Sequence, residues 1–415
     1  MLFEKPIAIG LAPNQGFDDF IKTLKVILKP WLWIYGEDLE KVENWFKEYF
    51  KVSTAVSFNS GRSALFAILK CLNISRGDEV IVQAFSCVAV ANCIIWNGAK
   101  PIFVDIDPDL NISIESLKRN INPNTKAIIV QHTFGIPGDI ISIKKIAQKY
   151  NITLIEDCAH SLGASVHNKK IGSFGDISFF SFGRDKVISS IFGGMAIVNN
   201  DNVNLAHKLT EFSRKLKSPS HSWVLQQLFH PIAFNFILPL YNIGVGKILL
   251  VILQKLRLLS YPVLNMEKKG LRPKFIPQKY PNALASILLI QLDKLKAFNK
   301  HRRELANYYQ SNFSSINNID LPSDKEGAIY LRYNILTANA GKILSAAKKQ
   351  GIILGNWYRN NIDPAGVDFE SIYFQPKNYP VAQRLAQQSL NLPTYPRITY
   401  ADADKIINIV KKYAS

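Results

Sequence analysis

Five short runs rich in apolar and β-branched residues, Thr54–Ser57, Glu79–Gln83, Pro101–Val104, Lys126–Gln131 and Ile152–Ile155, recur with one helical stretch between each pair. Those stretches are Ala64–Leu72, Ser86–Trp96, Ser113–Asn120 and Asp139–Tyr150. A crossover of that length returns the chain to lay the next strand parallel to the last, so the alternation predicts a mostly parallel sheet with helices on its faces. Two later apolar runs, Ile177–Phe182 and Met195–Val198, add strands, and helical spacing at Leu39, Val42, Trp45, Phe46 and Tyr49 precedes the first one. Open sheets of this kind bind ligands at the C-terminal edge of their strands. The residues just after each run are therefore the first place to look for chemistry.

With 415 residues, 47% of them apolar, the chain can bury a large core and fill two domains. Lys and Arg outnumber Asp and Glu by 50 to 32, a net charge of +18 that favours anionic partners: phosphorylated substrates, membrane surfaces or nucleic acid. No zinc-finger spacing or RNA-binding aromatic signature is present, so no nucleic-acid partner is assigned. Residues 1–17 carry Glu4 and lack an apolar signal core, and Cys71, Cys87, Cys93 and Cys158 form no C-x-x-C pair. Both features predict a reducing cytoplasm.

At the strand ends stand Asn59-Ser60-Gly61, Phe85, His132, Glu156-Asp157 and Ser181, with Lys186 in a glycine-flanked loop after the last. Each has an ordinary reading. Asn or Ser before a helix is an N-cap, a Phe is core, and a loop lysine is a solvated charge. His132 reads as structural, because no second metal-type residue is spaced to help it, and no metal site is expected. The sharper reading of Asn59-Ser60-Gly61 is a phosphate cradle, in which glycine lets the backbone approach an anion and free N–H groups of the first helical turn point at it.

Taken together, Glu156-Asp157-x-Ala159-His160, Gly175-Asp176 leading to Ser181-Phe182, and Lys186 five residues after that serine resemble the active-site region of the DegT/DnrJ/EryC1/StrS sugar aminotransferases. NSGRSAL at residues 59–65 is similar to that family's N-S-G-T-x-A-L, with Arg62 in place of the usual threonine. The resemblance covers roughly residues 30 to 220 and 276 to 410. It implies the pyridoxal phosphate (PLP) dependent transferase fold of the aspartate aminotransferase type, fold type I: a large α/β domain with a mostly parallel sheet plus a smaller C-terminal α/β domain. It implies PLP as cofactor, attached to Lys186, which also moves the proton. Asp157 faces the ring nitrogen, His160 the ring hydroxyl and Phe85 one ring face. Gly61, Arg62, Ser63 and Ser181 surround the phosphate, with either the backbone or the guanidinium at Arg62 in contact. Lys279, just before the long helix that includes Ala283–Lys300, is expected to reach the partner's phosphate in a homodimer with a shared active site. The implied reaction moves an amino group, from glutamate as amino-acid donor, to a keto sugar carried on a nucleotide, for surface polysaccharide or glycan synthesis. Two alternatives stand beside it: a PLP-binding regulatory relative, and a PLP enzyme on another acceptor, including a lipid-linked one.

The chain divides into residues 1–221, the PLP-binding domain with an N-terminal arm; 222–275, an apolar insertion; and 276–415, the long helix and small domain. Within 222–260 Pro231, Pro239, Gly244 and Gly246 are expected to break the stretch into short helical pieces, none long enough to span a bilayer. Two readings remain. The pieces form a helical hairpin packed on the dimer or the host domain, or they lie on the inner face of the cytoplasmic membrane with Lys247, Lys255, Arg257, Lys268, Lys269, Arg272 and Lys274 near anionic head groups.

Overall fold

The computed structural model describes residues 5–199 and 202–414. Glu4, used above to argue against a signal segment, and Asp201, before the helix that follows the last sheet strand, lie outside them. In chain order come α1 (Phe17–Ile27), α2 (Glu37–Phe50), β1 (Thr54–Phe58), α3 (Gly61–Cys71), β2 (Glu79–Gln83), α4 (Val88–Trp96), β3 (Lys100–Val104), α5 (Ile114–Asn120), β4 (Thr125–Gln131), α6 (Ile140–Lys149), β5 (Thr153–Asp157), β6 (Ile177–Ser181), β7 (Gly194–Val198) and α7 (Val203–Lys215). They build a seven-stranded sheet of order β1-β7-β6-β5-β4-β2-β3. β7 runs antiparallel to both neighbours, while β6, β5, β4, β2 and β3 pair in parallel. Because β1 and β6 both oppose β7, β1 points the same way as the parallel strands. The ends of β1, β2, β4, β5 and β6 thus open on one edge.

Alternation along β4 shows how the sheet is covered. Ile128 and Val130 join one core with Phe46 of α2 and Ile143 of α6, whereas Ala127 and Ile129 join another with Leu65 of α3 and Ala91 of α4. Side chains of successive residues point to opposite faces. Both faces are buried, which is why these strands read as continuous apolar runs rather than as alternating ones.

Next come α8 (His221–Ile237) and α9 (Val245–Lys255), and then α10 (Asn282–Phe313), 32 residues long. β8 (Arg332–Leu336), α11 (Ala340–Lys349), α12 (Pro380–Gln388), β9 (Ser389–Pro393) and α13 (Tyr400–Ala414) complete the chain. β8 pairs antiparallel with β9. The first half of α10 packs into the large-sheet core through Ile287, Leu288 and Leu292, and its second half joins a separate core through Leu305, Tyr309 and Phe313 with Ile335, Leu390 and Ile406. One helix thereby ties the two cores together.

Three local expectations change. The helix expected from Ser86 begins at Val88, because Ser86 and Cys87 pair in parallel with Ile362 and Asp363. Residues 329–336 read as a strand in the sequence, but the strand begins at Arg332, since Tyr330 takes a left-handed backbone at φ 48° and leaves the ladder. Pro231 does not interrupt its segment: α8 runs through it for 17 residues. The buried side of α8 (Val224, Leu228, Phe234, Ile237) supplies the tertiary packing that carries the helix past the missing N–H. Among the described residues, no helix is long and apolar enough to cross a membrane.

Candidate active site

A cavity of about 530 Å³ opens at the edge where the parallel strands end. Asp157 closes β5, and Ser181 closes β6. Ser60 and Gly61 follow β1, Ser86 and Cys87 follow β2, and Gln131 closes β4; all seven line the cavity with His160 and Lys186. A parallel sheet brings the ends of sequence-distant strands side by side, so residues more than a hundred positions apart share one volume.

The α3 terminus faces this space with its first-turn N–H groups. Ser60 caps it, accepting the Ser63 N–H at 3.1 Å. Gly61 is required there by contact: a Cβ would stand 2.8 Å from the Ser181 Cβ. Gly61→Ala therefore pushes the cradle off the β6 end, and PLP affinity should fall at least about tenfold in equilibrium dialysis.

Asp157 is buried, and its Oδ1 accepts the Ala159 N–H at 3.0 Å. Burial pushes the carboxyl above the usual range, against the pull of that N–H and of the Lys186 charge. A cation against this group would relieve the burial cost. Lys186 Nζ lies 3.0 Å from His160 Nε2. The His160 ring clusters with Phe134 and Tyr358, at 5.8 and 6.3 Å, and those two rings lie 5.8 Å from each other. Burial, then the charges of Lys186 and Arg332, hold it well below its ordinary 6.5. It is neutral, and its buried Nδ1 has no partner among the described residues.

Remote groups fix the Lys186 backbone. Asn14 Nδ2 donates to the Lys186 carbonyl at 2.6 Å, and the fully buried Arg302 donates to the Val187 carbonyl at 2.7 Å and to Asn14 Oδ1 at 2.9 Å. Asp185 accepts from Arg332 Nη2 at 2.6 Å, and the Arg332 guanidinium lies over the Trp357 ring at 3.7 Å. Burial raises the Asp185 carboxyl, but Lys186 and Arg332 win and hold it low. A β8 side chain of the second core is thus brought against the lysine loop of the first.

The structure places several of the expected site residues away from this cavity or in other contacts. Phe85 is fully buried and outside the cavity, packed edge-on against Tyr358 at 5.3 Å; Cys87 lines the cavity instead. Ser63 also faces away: its hydroxyl donates to Asn59 Oδ1 at 2.5 Å. The Arg62 guanidinium is ion-paired with the buried Glu267, so the backbone is what residue 62 offers an anion. Lys279 stands outside this chain's own cavity, bridged to Phe58 and donating its N–H to the Lys217 carbonyl at 3.1 Å. Arg332, Trp357 and Tyr358 were missed by sequence reasoning. A single charged residue, Arg332, in the mostly apolar run of residues 329–336 was the available signal for the first.

His132, Glu156 and Cys158 cluster in the core, where two of the three already serve the fold as acceptors. Glu156 accepts the N–H groups of Gly172, Phe174 and Gly175, and His132 Nδ1 accepts that of Gly138. The group is structural. Glu156 ties the 172–175 turn to β5 and so orients Asp157 beside it.

The model of the DegT/DnrJ/EryC1/StrS aminotransferase family matches residues 15–238 and 276–411. The chain belongs to this family. GDP-perosamine synthase of Escherichia coli O157:H7 is 27% identical over 93% of this chain and 92% of its own length. UDP-N-acetyl-3-dehydro-alpha-D-glucosamine 3-aminotransferase of Acidithiobacillus ferrooxidans is 27% identical over 95% and 94%. The solved structure of Helicobacter pylori PseC, an aminotransferase involved in the biosynthesis of pseudoaminic acid, superposes with a TM-score of 0.76 over 99% of both chains at 22% identity. The fold is that of the PLP-dependent aminotransferases.

The residues present fit PLP, the cofactor of this aminotransferase family. One buried carboxylate suits a ring nitrogen, the α3 terminus with Gly61 against Ser181 suits a phosphate, and Lys186 lines the same cavity.

His160 also gives a pH test. A buried histidine whose folded pKa is depressed contributes stability in full above 6.5 and loses it as pH falls through that value, because only the unfolded state then takes the proton. His230, depressed by burial and then by Arg184, adds in the same direction. The melting temperature should fall between pH 7 and pH 5, with about 1.4 kcal/mol lost per pH unit and per histidine below 6.5. His160→Gln together with His230→Gln should flatten the profile; an unchanged slope would assign it elsewhere.

Proposed function

We propose that the protein transfers an amino group from an amino acid, glutamate in the first instance, to the keto carbon of a sugar linked to a nucleotide. One observation carries this: Lys186 Nζ, the Asp157 carboxylate and the α3 terminus face one cavity at the sheet edge. The substrates named for the relatives above, a GDP-linked and a UDP-linked sugar, support the acceptor class.

PLP, when bound, supplies an electron sink that acidifies the substrate C–H. As a carboxylate, Asp157 would favour the proton on the ring nitrogen, and that cation would offset the burial that raises its carboxyl. Lys186 would hold the cofactor, and its Nζ, once freed by the donor amine, would carry the proton from the donor carbon to the cofactor carbon and, in the second half of the reaction, from there to the acceptor carbon. His160 beside it orients Nζ, and Ser60, Gly61 and Ser181 hold the phosphate. Arg332, a buried cation lining the cavity next to that loop, is set to meet the donor carboxylate. Arg332→Leu should lower kcat/KM for glutamate by on the order of 10- to 100-fold while sparing the acceptor KM; equal losses for both substrates would make it a structural strut.

Lys279, outside its own cavity, is offered to a second copy, so that the active site is shared in a homodimer. The four cysteines are free thiols, which supports a cytoplasmic setting for glycan synthesis. The deciding experiment is a screen of 3-keto and 4-keto nucleotide sugars with glutamate, read by product mass. Failure of every sugar, with a cofactor band that glutamate leaves unchanged, would favour the regulatory relative.

A further inference from the structure

Helix α9 forms part of one wall of the cavity. Leu250 and Gln254, one turn apart, line the cavity wall together with Phe234 and Val263. Around the other side stand Val245, Ile248, Ile252 and Leu256, at the three- and four-residue spacing that puts them on one stripe, and they are 46 to 63% exposed. Of the helix's described residues only Gly246 is buried. This face is larger than single scattered apolar residues explain.

The charges around it identify what covers it. From residue 212 to residue 266 the sequence contains no Asp or Glu, and Lys247, Lys255 and Arg257 border the stripe. All three are exposed. A second copy of this +18 chain meeting the same face would oppose like charges across a two-fold contact, which costs affinity. An anionic surface with an apolar interior complements both the stripe and its rim. At 11 residues, about 16 Å, α9 is too short to cross a bilayer and long enough to lie in its interface.

We propose that α9 docks the enzyme flat on an anionic lipid bilayer, with the active-site cavity directly behind the docked helix. The other basic residues of the insertion do not all share in this. Lys268 donates to the Ala365 carbonyl at 2.8 Å, and Arg272 lies over the Phe66 ring at 4.9 Å, so both are held by the body of the protein. The contact consists of the stripe, Lys247, Lys255 and Arg257.

Flotation of the full-length, PLP-loaded enzyme tests it, using vesicles of phosphatidylcholine alone and vesicles containing phosphatidylglycerol. The wild type should float with the second only and be released by salt. Lys247→Glu/Lys255→Glu/Arg257→Glu should lower the partition coefficient by on the order of 100-fold. Ile248→Asp/Ile252→Asp should abolish flotation while the cofactor band and melting temperature stay unchanged. Wild type left in the soluble fraction with both vesicles overturns the proposal, as does flotation that neither variant weakens. Light scattering that shows the aspartate variant dissociating an oligomer, with no flotation of the wild type, overturns it in favour of a second copy.

Discussion

Lys186→Ala, purified in the presence of PLP, should lack the visible absorbance of the wild type and turn over donor and acceptor slower by on the order of 10⁴-fold. The size follows from the two roles proposed for one Nζ, holding the cofactor and moving the proton, and that Nζ lies 3.0 Å from His160. Arg302, Asn14 and the Asp185–Arg332 pair fix the surrounding loop without the side chain, so the variant should fold and melt like the wild type. External amines should restore part of the proton transfer. A retained band, with the cofactor mapped to a different lysine, would overturn the assignment.

Glu267→Ala should be the most destabilising single change in the insertion. The Glu267 side chain is 1% exposed, its carboxylate pairs with Arg62, and its Oε2 accepts the Leu264 N–H at 2.9 Å. Removing it strands a guanidinium that is 11% exposed, and breaking a buried pair from one side costs about 3 to 5 kcal/mol. Arg62→Thr on its own orphans the carboxylate instead. The double variant Arg62→Thr/Glu267→Ala leaves neither charge alone and should recover most of the loss in a urea titration. Strictly additive losses would show that the two groups are not coupled.

The pair also shows where sequence reading stops. Arg62 stands at the position of the family's threonine, and its side chain could have gone either to the phosphate or elsewhere. Glu267 is 205 positions away in an insertion that has no counterpart in the family motif. No local pattern links them. Phe85 and Cys87 differ in the same way. Both lie beside a strand end, but Ser86 and Cys87 pair with Ile362 and Asp363, and that pairing sets which side chain turns into the cavity. Alternation alone would give residues two positions apart the same side, so the outcome depends on contacts made by the far end of the sequence, the pairing with Ile362–Asp363 and the Tyr358 ring against Phe85.

Asp157, Ser181 and Gly61 were legible for the opposite reason. Each stands at the end of a short apolar run, and β-α-β alternation by itself dictates that such ends share an edge. The sequence alone therefore determined the class of fold, the edge where chemistry sits and the local runs that supply most of its reactive groups, because those depend on periodicity and on contacts a few residues long. Tertiary structure decided the rest: Arg332 and Tyr358 facing the lysine loop, Glu267 taking Arg62 away from the cradle, and α9 presenting one side to the cavity and the other to solvent. Those placements are set by packing between segments a hundred or more residues apart, and a side chain's own neighbours in the chain carry no record of them.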